Sequence, residues 1–128
     1  MITLITKEEL IETLLKYKEI DIVKSLEIRD TLTHNSEIAD LSLYNHATVY
    51  VINELNQPVT VQVKGNWTPI YEGSVNVGTS FDVAAGAHGS RSISVATNNW
   101  FPFIWITLTC SVAPSRGAVH AKVLVKPL

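Results

Sequence analysis

Alternation of apolar and polar residues is clearest in mid-chain, where Val49 and Val51 in TVYVINEL precede Val59, Val61 and Val63 in VTVQVKGNW. In the second run Thr60, Gln62 and Lys64 point the other way, the two-residue period of a strand with one buried face. The two runs flank Asn56-Gln57-Pro58, which predicts an antiparallel pair joined by a short turn. Further strands are expected at Ser74–Val77, Ser80–Ala84, Arg91–Ala96, Phe103–Val112 and Ala118–Val125. Gly73, Gly78, Gly86, Gly89, Pro102, Pro114 and Gly117 punctuate them. About seven short strands with regular turns predict an all-β, antiparallel two-sheet β-sandwich, jelly-roll-like in outline.

The last two strands assign their own faces. Ile104, Ile106, Leu108, Cys110 and Val112 share one face, expected to be the core, and Phe103, Trp105, Thr107, Thr109 and Ser111 share the other. Val119, Ala121, Val123 and Val125 oppose the core set. That leaves His120, Lys122, Leu124 and Lys126 on the reverse, with Trp105 nearby if the two strands pair.

The period changes at the N-terminus. Thr6 as cap and Glu9 three residues on form a capping box, with Ile5 and Leu10 at the staple positions. Leu10, Ile11, Leu14 and Leu15 then make a one-faced stripe, opposite Glu8, Glu12 and Lys16, which predicts a short α-helix over about residues 7–17. From Glu19 to Leu43 strand and helix periods mix and no element is assigned, while THNSEIAD has the composition of a connector. The expected division is an acidic N-terminal helical arm over residues 1–44 and a sandwich domain over residues 45–128.

Charge sharpens this division. Residues 1–44 carry nine acids and five bases, whereas residues 45–128 carry only Glu54, Glu72, Asp82, Lys64, Arg91, Arg116, Lys122 and Lys126. Eight charges in 84 residues, roughly 10 %, is far below the ~25–35 % suited to the surface of a soluble monomer, so surface hidden against neighbours is expected. The two segments bear opposite net charge, which favours contact between them. Five dispersed bases give few phosphate contacts, so no direct nucleic-acid binding is expected. The N-terminus lacks the features of a secretory signal and no apolar run reaches membrane-spanning length, which predicts a soluble or assembled chain rather than a membrane or exported protein.

Candidate chemistry is sparse. His34, His46, His88 and His120 lie far apart, without a second ligand at metal spacing, and no metal or cofactor is expected. Cys110 sits among apolar neighbours, reads as buried and inert, and as the one cysteine rules out an intrachain disulfide. The segment from Gly86 to Arg91 lacks the Gly-Lys-Ser/Thr ending of a phosphate loop, and no serine stands in a nucleophile elbow. No catalytic residue is assigned and an enzyme is not expected; that reading would need a pocket holding His88 or His120.

The aromatics carry more information. Trp67, Tyr71, Trp100, Phe101, Phe103 and Trp105 gather near expected strand ends, where they either plug the sandwich or meet a partner. The candidate subunit interface is Ile5, Leu10, Ile11, Leu14 and Leu15 of the arm with Trp100, Phe101 and Trp105 of the body. The alternative is a carbohydrate-binding module in which Trp67, Trp100 and Trp105 stack on a glycan. Asn66, Asn98 and Asn99 supply amides for a sugar, but acids are absent there, which favours the interface. Asn66-Trp67-Thr68 matches a glycosylation sequon but is followed by Pro69.

The body also resembles β-sandwich proteins found among bacteriophage virion and tail-associated proteins and prophage-like genes. The resemblance rests on VINELNQPVTVQVKGNW, VNVGTSFDVAAGAHGS and WFPFIWITLTCSVAPSRGAVHAKVLV, covers about residues 45–125 and leaves the acidic lead unmatched. It implies a structural subunit of a capsid, tail or filament whose partners are copies of itself or a larger protein lattice, and it brings no catalytic residues.

Overall fold

The alternating valines do form strands, but runs adjacent in sequence lie in opposite sheets. A computed structural model describes residues 18–126. It contains β1 (Lys18–Leu26), β2 (His34–Asn35), β3 (Ala39–Asp40), β4 (His46–Asn53), β5 (Val59–Asn66), β6 (Val75–Asn76), β7 (Phe81–Val83), β8 (His88–Ser94), β9 (Phe103–Thr109) and β10 (Val119–Val125). The first sheet has the order β1-β10-β4-β8; the second has β2-β9-β5-β6, with β3 also on β9 and β7 also on β5. Every pairing is antiparallel. No helix occurs among the described residues.

The core lies between the sheets. Ala47, Val49 and Val51 of β4 and Val119, Val123 and Val125 of β10 are fully buried, as are Val59 and Val61 of β5 and Ile104, Ile106 and Leu108 of β9. Each larger aliphatic side chain so buried contributes about 1.5–3 kcal/mol against an unfolded chain. This two-layer, all-β arrangement matches the expected class.

The expected hairpin between the two valine runs does not form. β4 pairs with β10 and β8, and β5 with β9, β6 and β7, so Asn53–Pro58 crosses from one sheet to the other. Asn53 is fully buried at this corner. Its amide nitrogen donates to the carbonyls of Gln57 (3.0 Å), Val83 (3.0 Å) and Ala84 (3.2 Å), and its side-chain oxygen accepts from the Leu55 amide at 3.0 Å. A two-residue period reports which face of a strand is buried; it says nothing of which sheet the strand joins.

The boundary at residue 44 is likewise corrected. β1 is an edge strand of the first sheet, β2 and β3 pair with β9, and Ile22, Val23, Ile28, Ala39 and Leu41 are part of the core. The register of β1 on β10 shifts between Asp21 and Val23 and again between Val23 and Leu26, and Ser25 has φ 53°. These bulges break the two-residue period, which is why neither strand nor helix was legible there. The helix expected over residues 7–17, with Ile5, Leu10, Ile11, Leu14 and Leu15, lies outside the described residues.

Two smaller corrections concern faces. Val112 is 55 % exposed, because β9 ends at Thr109 and the chain bends away before Pro114. β9 and β10 belong to different sheets, so Trp105 and His120 lie on opposite outer faces. No helix among the described residues is long and apolar enough to cross a membrane.

Candidate functional site

The outer face of the second sheet is covered at one point by the chain's own excursion between β5 and β6. The excursion starts at Trp67, whose amide donates to Asn66 Oδ1 at 2.8 Å, while Asn66 Nδ2 donates to the carbonyls of Ile70 (3.0 Å) and Glu72 (2.9 Å). One asparagine thus closes the loop on itself, an arrangement that suits Asn because its amide both donates and accepts. The Ile70 amide also donates to the Thr68 carbonyl at 2.8 Å, and Gly73, at φ 76°, turns the chain back toward β6.

Two aromatic pairs anchor the excursion. Tyr71 meets Trp105 edge to face with centroids 5.2 Å apart, and Trp67 meets Phe101 at 5.4 Å. The Phe101 ring rests on Gly65, where an added Cβ would fall 2.6 Å from it, so the glycine is needed for this approach. Trp105 projects to the outer face, as alternation predicts, yet is only 1 % exposed because the excursion lies over it.

Of the three tryptophans, Trp67 is 69 % exposed, Trp100 is half-buried against the core, and Trp105 is buried. The single sugar platform of Trp67, Trp100 and Trp105 is therefore not formed, and Trp105 offers no surface to a neighbour in the monomer. Phe101 is half-buried. The Trp100 indole nitrogen is buried with no acceptor among the described residues, a donor whose desolvation costs about 1–3 kcal/mol. What remains presented on and beside the excursion is Trp67 with Ile70, Tyr71 and Val75, flanked by the charges of Lys64 and Glu72. Ile70 and Val75 escaped the sequence reading; the available signal was a connector carrying Pro69-Ile70-Tyr71 where polar residues are usual.

The titratable residues form pairs rather than a reactive constellation. His34 Nε2 lies 2.7 Å from Asp30 Oδ1, and this hydrogen bond, with a further one from the Leu32 amide, holds the Asp30 carboxyl below its usual range. Ser42 does the same for Asp40. His88 Nδ1 hydrogen-bonds the Tyr50 hydroxyl, and His120 Nε2 stands 3.6 Å from Glu54 Oε2. Burial pushes the Cys110 thiol up, as expected of a core cysteine. Among the described residues no group of three or more His, Cys, Asp or Glu side chains is placed to hold a metal ion.

No family model and no curated protein sequence matches this chain. Its fold is found among solved structures. The PBSX exported protein XepA superposes with a TM-score of 0.62 at 9 % identity, over 87 % of this chain and 37 % of that one, so this chain spans little more than a third of its length. A pilus protein of Bacillus endospore appendages superposes with a TM-score of 0.55 at 14 % identity, over 89 % and 88 % of the two chains. The likeness to β-sandwich proteins of phage and assembly origin therefore holds at the level of fold, without shared sequence motifs.

Proposed function

We propose that this chain is a self-associating structural subunit of a virion, tail or filament-type assembly, joined to its neighbours through the apolar excursion between β5 and β6. The observation that carries the reading is the exposure of Trp67 (69 %), Ile70 (49 %), Tyr71 (41 %) and Val75 (47 %) on a backbone already fixed by Asn66. Apolar side chains held together in water gain about 25 cal/mol for each Å² covered, and a pre-ordered loop loses little entropy on docking. The low charge of residues 45–128 removes repulsion that would oppose packing of copies.

Along the chain β1, β4, β8 and β10 of the first sheet alternate with β2 and β3, then β5 to β7, then β9 of the second, an order that supports a jelly-roll reading. That architecture serves capsid and lectin domains alike, so the surface chooses between them rather than the fold. Here the presented surface is aliphatic as well as aromatic, which suits a protein neighbour better than a sugar. In this reading Ile5, Leu10, Ile11, Leu14 and Leu15 make a second contact on an adjacent subunit, and the chain has no catalytic role.

Replacing Trp67 and Ile70 together by Ser tests the reading, since both side chains are exposed and neither holds the core. The particle mass should fall while the far-ultraviolet circular dichroism stays that of a folded sandwich. An unchanged mass would remove the excursion from the interface.

A further inference from the structure

The opposite outer face, on the first sheet, carries a polar cleft that self-association through the excursion does not use. Register places Asp21 opposite Lys122 and Lys122 opposite Tyr50, so three strands present a carboxylate, an ammonium and a phenol in one row. In the next row His120 stands opposite Ile52, with Glu54 beyond the end of β4 at 3.6 Å from the imidazole. The doubly bulged β1 forms one wall. Bulges bend an edge strand and re-aim its side chains, and Ser25 at φ 53° marks such a bend. The concavity measures about 440 Å³, inside the ~300–1,000 Å³ typical of ligand clefts.

Its charges balance. Asp21 and Glu54 line it together with Lys24 and Lys122, so a phosphate would meet two carboxylates and a bare cation two ammonium groups. A neutral ligand rich in hydroxyls meets neither penalty. Its hydroxyls donate to the carboxylates and accept from the ammonium groups, and such charge-assisted bonds are roughly twice as strong as neutral ones. Lys122 Nζ donates one proton to Glu19 Oε2 at 3.2 Å and keeps two for a ligand. Half-buried Tyr50 and Ile52 form a floor on which the apolar face of a sugar ring can rest.

We infer that this cleft binds a neutral hexose unit of a glycan, with Asp21 and Glu54 accepting from ring hydroxyls, Lys122 donating and Tyr50 beneath the ring. The site does not depend on the proposed assembly, because it faces away from the excursion. A subunit that associates through one face would display this cleft on the other.

Calorimetric titration of the full chain with maltotriose, cellotriose, N-acetylchitotriose and galactobiose, which reads binding in a monomer and an assembly alike, tests the inference. At least one of them should give a saturable binding heat. Asp21→Asn and Lys122→Gln should each weaken that binding about tenfold, equivalent to 1.4 kcal/mol, whereas Trp67→Ser leaves it unchanged. Far-ultraviolet circular dichroism reports that each variant is folded. The inference is overturned if no sugar gives a binding heat, if Trp67→Ser abolishes the binding, or if either cleft variant binds as the parent does.

Discussion

Tyr71 stands edge-on to Trp105, ring planes at 88°, and its hydroxyl donates to the Ser36 carbonyl at 2.8 Å. Through this one side chain the β5–β6 excursion is fastened both to β9 and to the connector between β2 and β3. Ser36 is itself buried, its hydroxyl accepting from the Ile106 amide at 2.9 Å, so the tether ends on rigid structure. Tyr71→Phe keeps the ring contact and should cost about 1 kcal/mol, the net worth of one hydrogen bond. Tyr71→Ala also uncovers the indole beneath and should cost about 2–3 kcal/mol. Urea unfolding gives both values, and a red shift of tryptophan emission in the Ala variant alone would identify Trp105 as newly wetted.

Asn53 holds two crossings at once. Besides its side-chain bonds, its backbone amide donates to the Ala87 carbonyl at 3.0 Å and its carbonyl accepts from the Gly86 amide at 2.8 Å, so the β4–β5 and β7–β8 corners meet on one residue. Asn53→Ala leaves buried carbonyls and the Leu55 amide without partners and should cost about 3 kcal/mol in urea unfolding. Asn53→Asp should cost more, because a carboxylate cannot donate to those carbonyls and would carry buried charge. A loss below about 1 kcal/mol for Ala would show that water replaces the amide at the corner.

Gly117 and Gly73 separate two costs of adding a methyl group. Both have positive φ, 87° and 76°, but a Cβ on Gly117 would lie 2.0 Å from the Glu54 carbonyl oxygen, whereas one on Gly73 meets nothing within 4 Å. Gly73→Ala should cost about 1–2 kcal/mol, the backbone strain alone. Gly117→Ala should cost clearly more, because the loop before β10 must move off the Glu54–Leu55 backbone. Equal thermal midpoints for the two variants would contradict this distinction.

The Asp30–His34 pair gives a pH dependence of definite sign. The folded-state pKa of Asp30 is depressed, first by the hydrogen bond from His34, so its stabilisation is present above the ordinary aspartate value and is lost as pH falls through the depressed one. Asp40, depressed by Ser42, acts in the same direction. Asp30→Asn should flatten the acid limb of a stability-against-pH curve by lowering stability slightly at neutral pH and leaving the acid end unchanged, a small difference because the group is exposed. A variant whose acid limb overlays the parent's would remove Asp30 from that account.

The legible parts of this molecule are those where one side-chain period runs unbroken. Val59, Val61 and Val63, and Val119, Ala121, Val123 and Val125, show their buried face directly, and each stands buried in the structure. β1 is hidden because its bulges put Ile22 and Val23 side by side in the core, a pair that breaks the strand period and, with Leu26, also fits a helical turn. β2 and β3 are two residues long, too short for any periodicity. Trp105 shows a different limit: alternation sent it correctly to the outer face, but its burial depends on Tyr71 folding back from outside β5. The aromatic composition pointed to the site, and the tertiary fold decided which rings remain presented.

The central claim is that this chain associates with copies of itself. Light scattering of the purified full chain across a concentration series, with negative-stain images of the same fractions, measures it most directly. The account predicts a uniform particle or filament whose mass is a large multiple of the 14.1 kDa chain. A 14.1 kDa monomer at every concentration would contradict it.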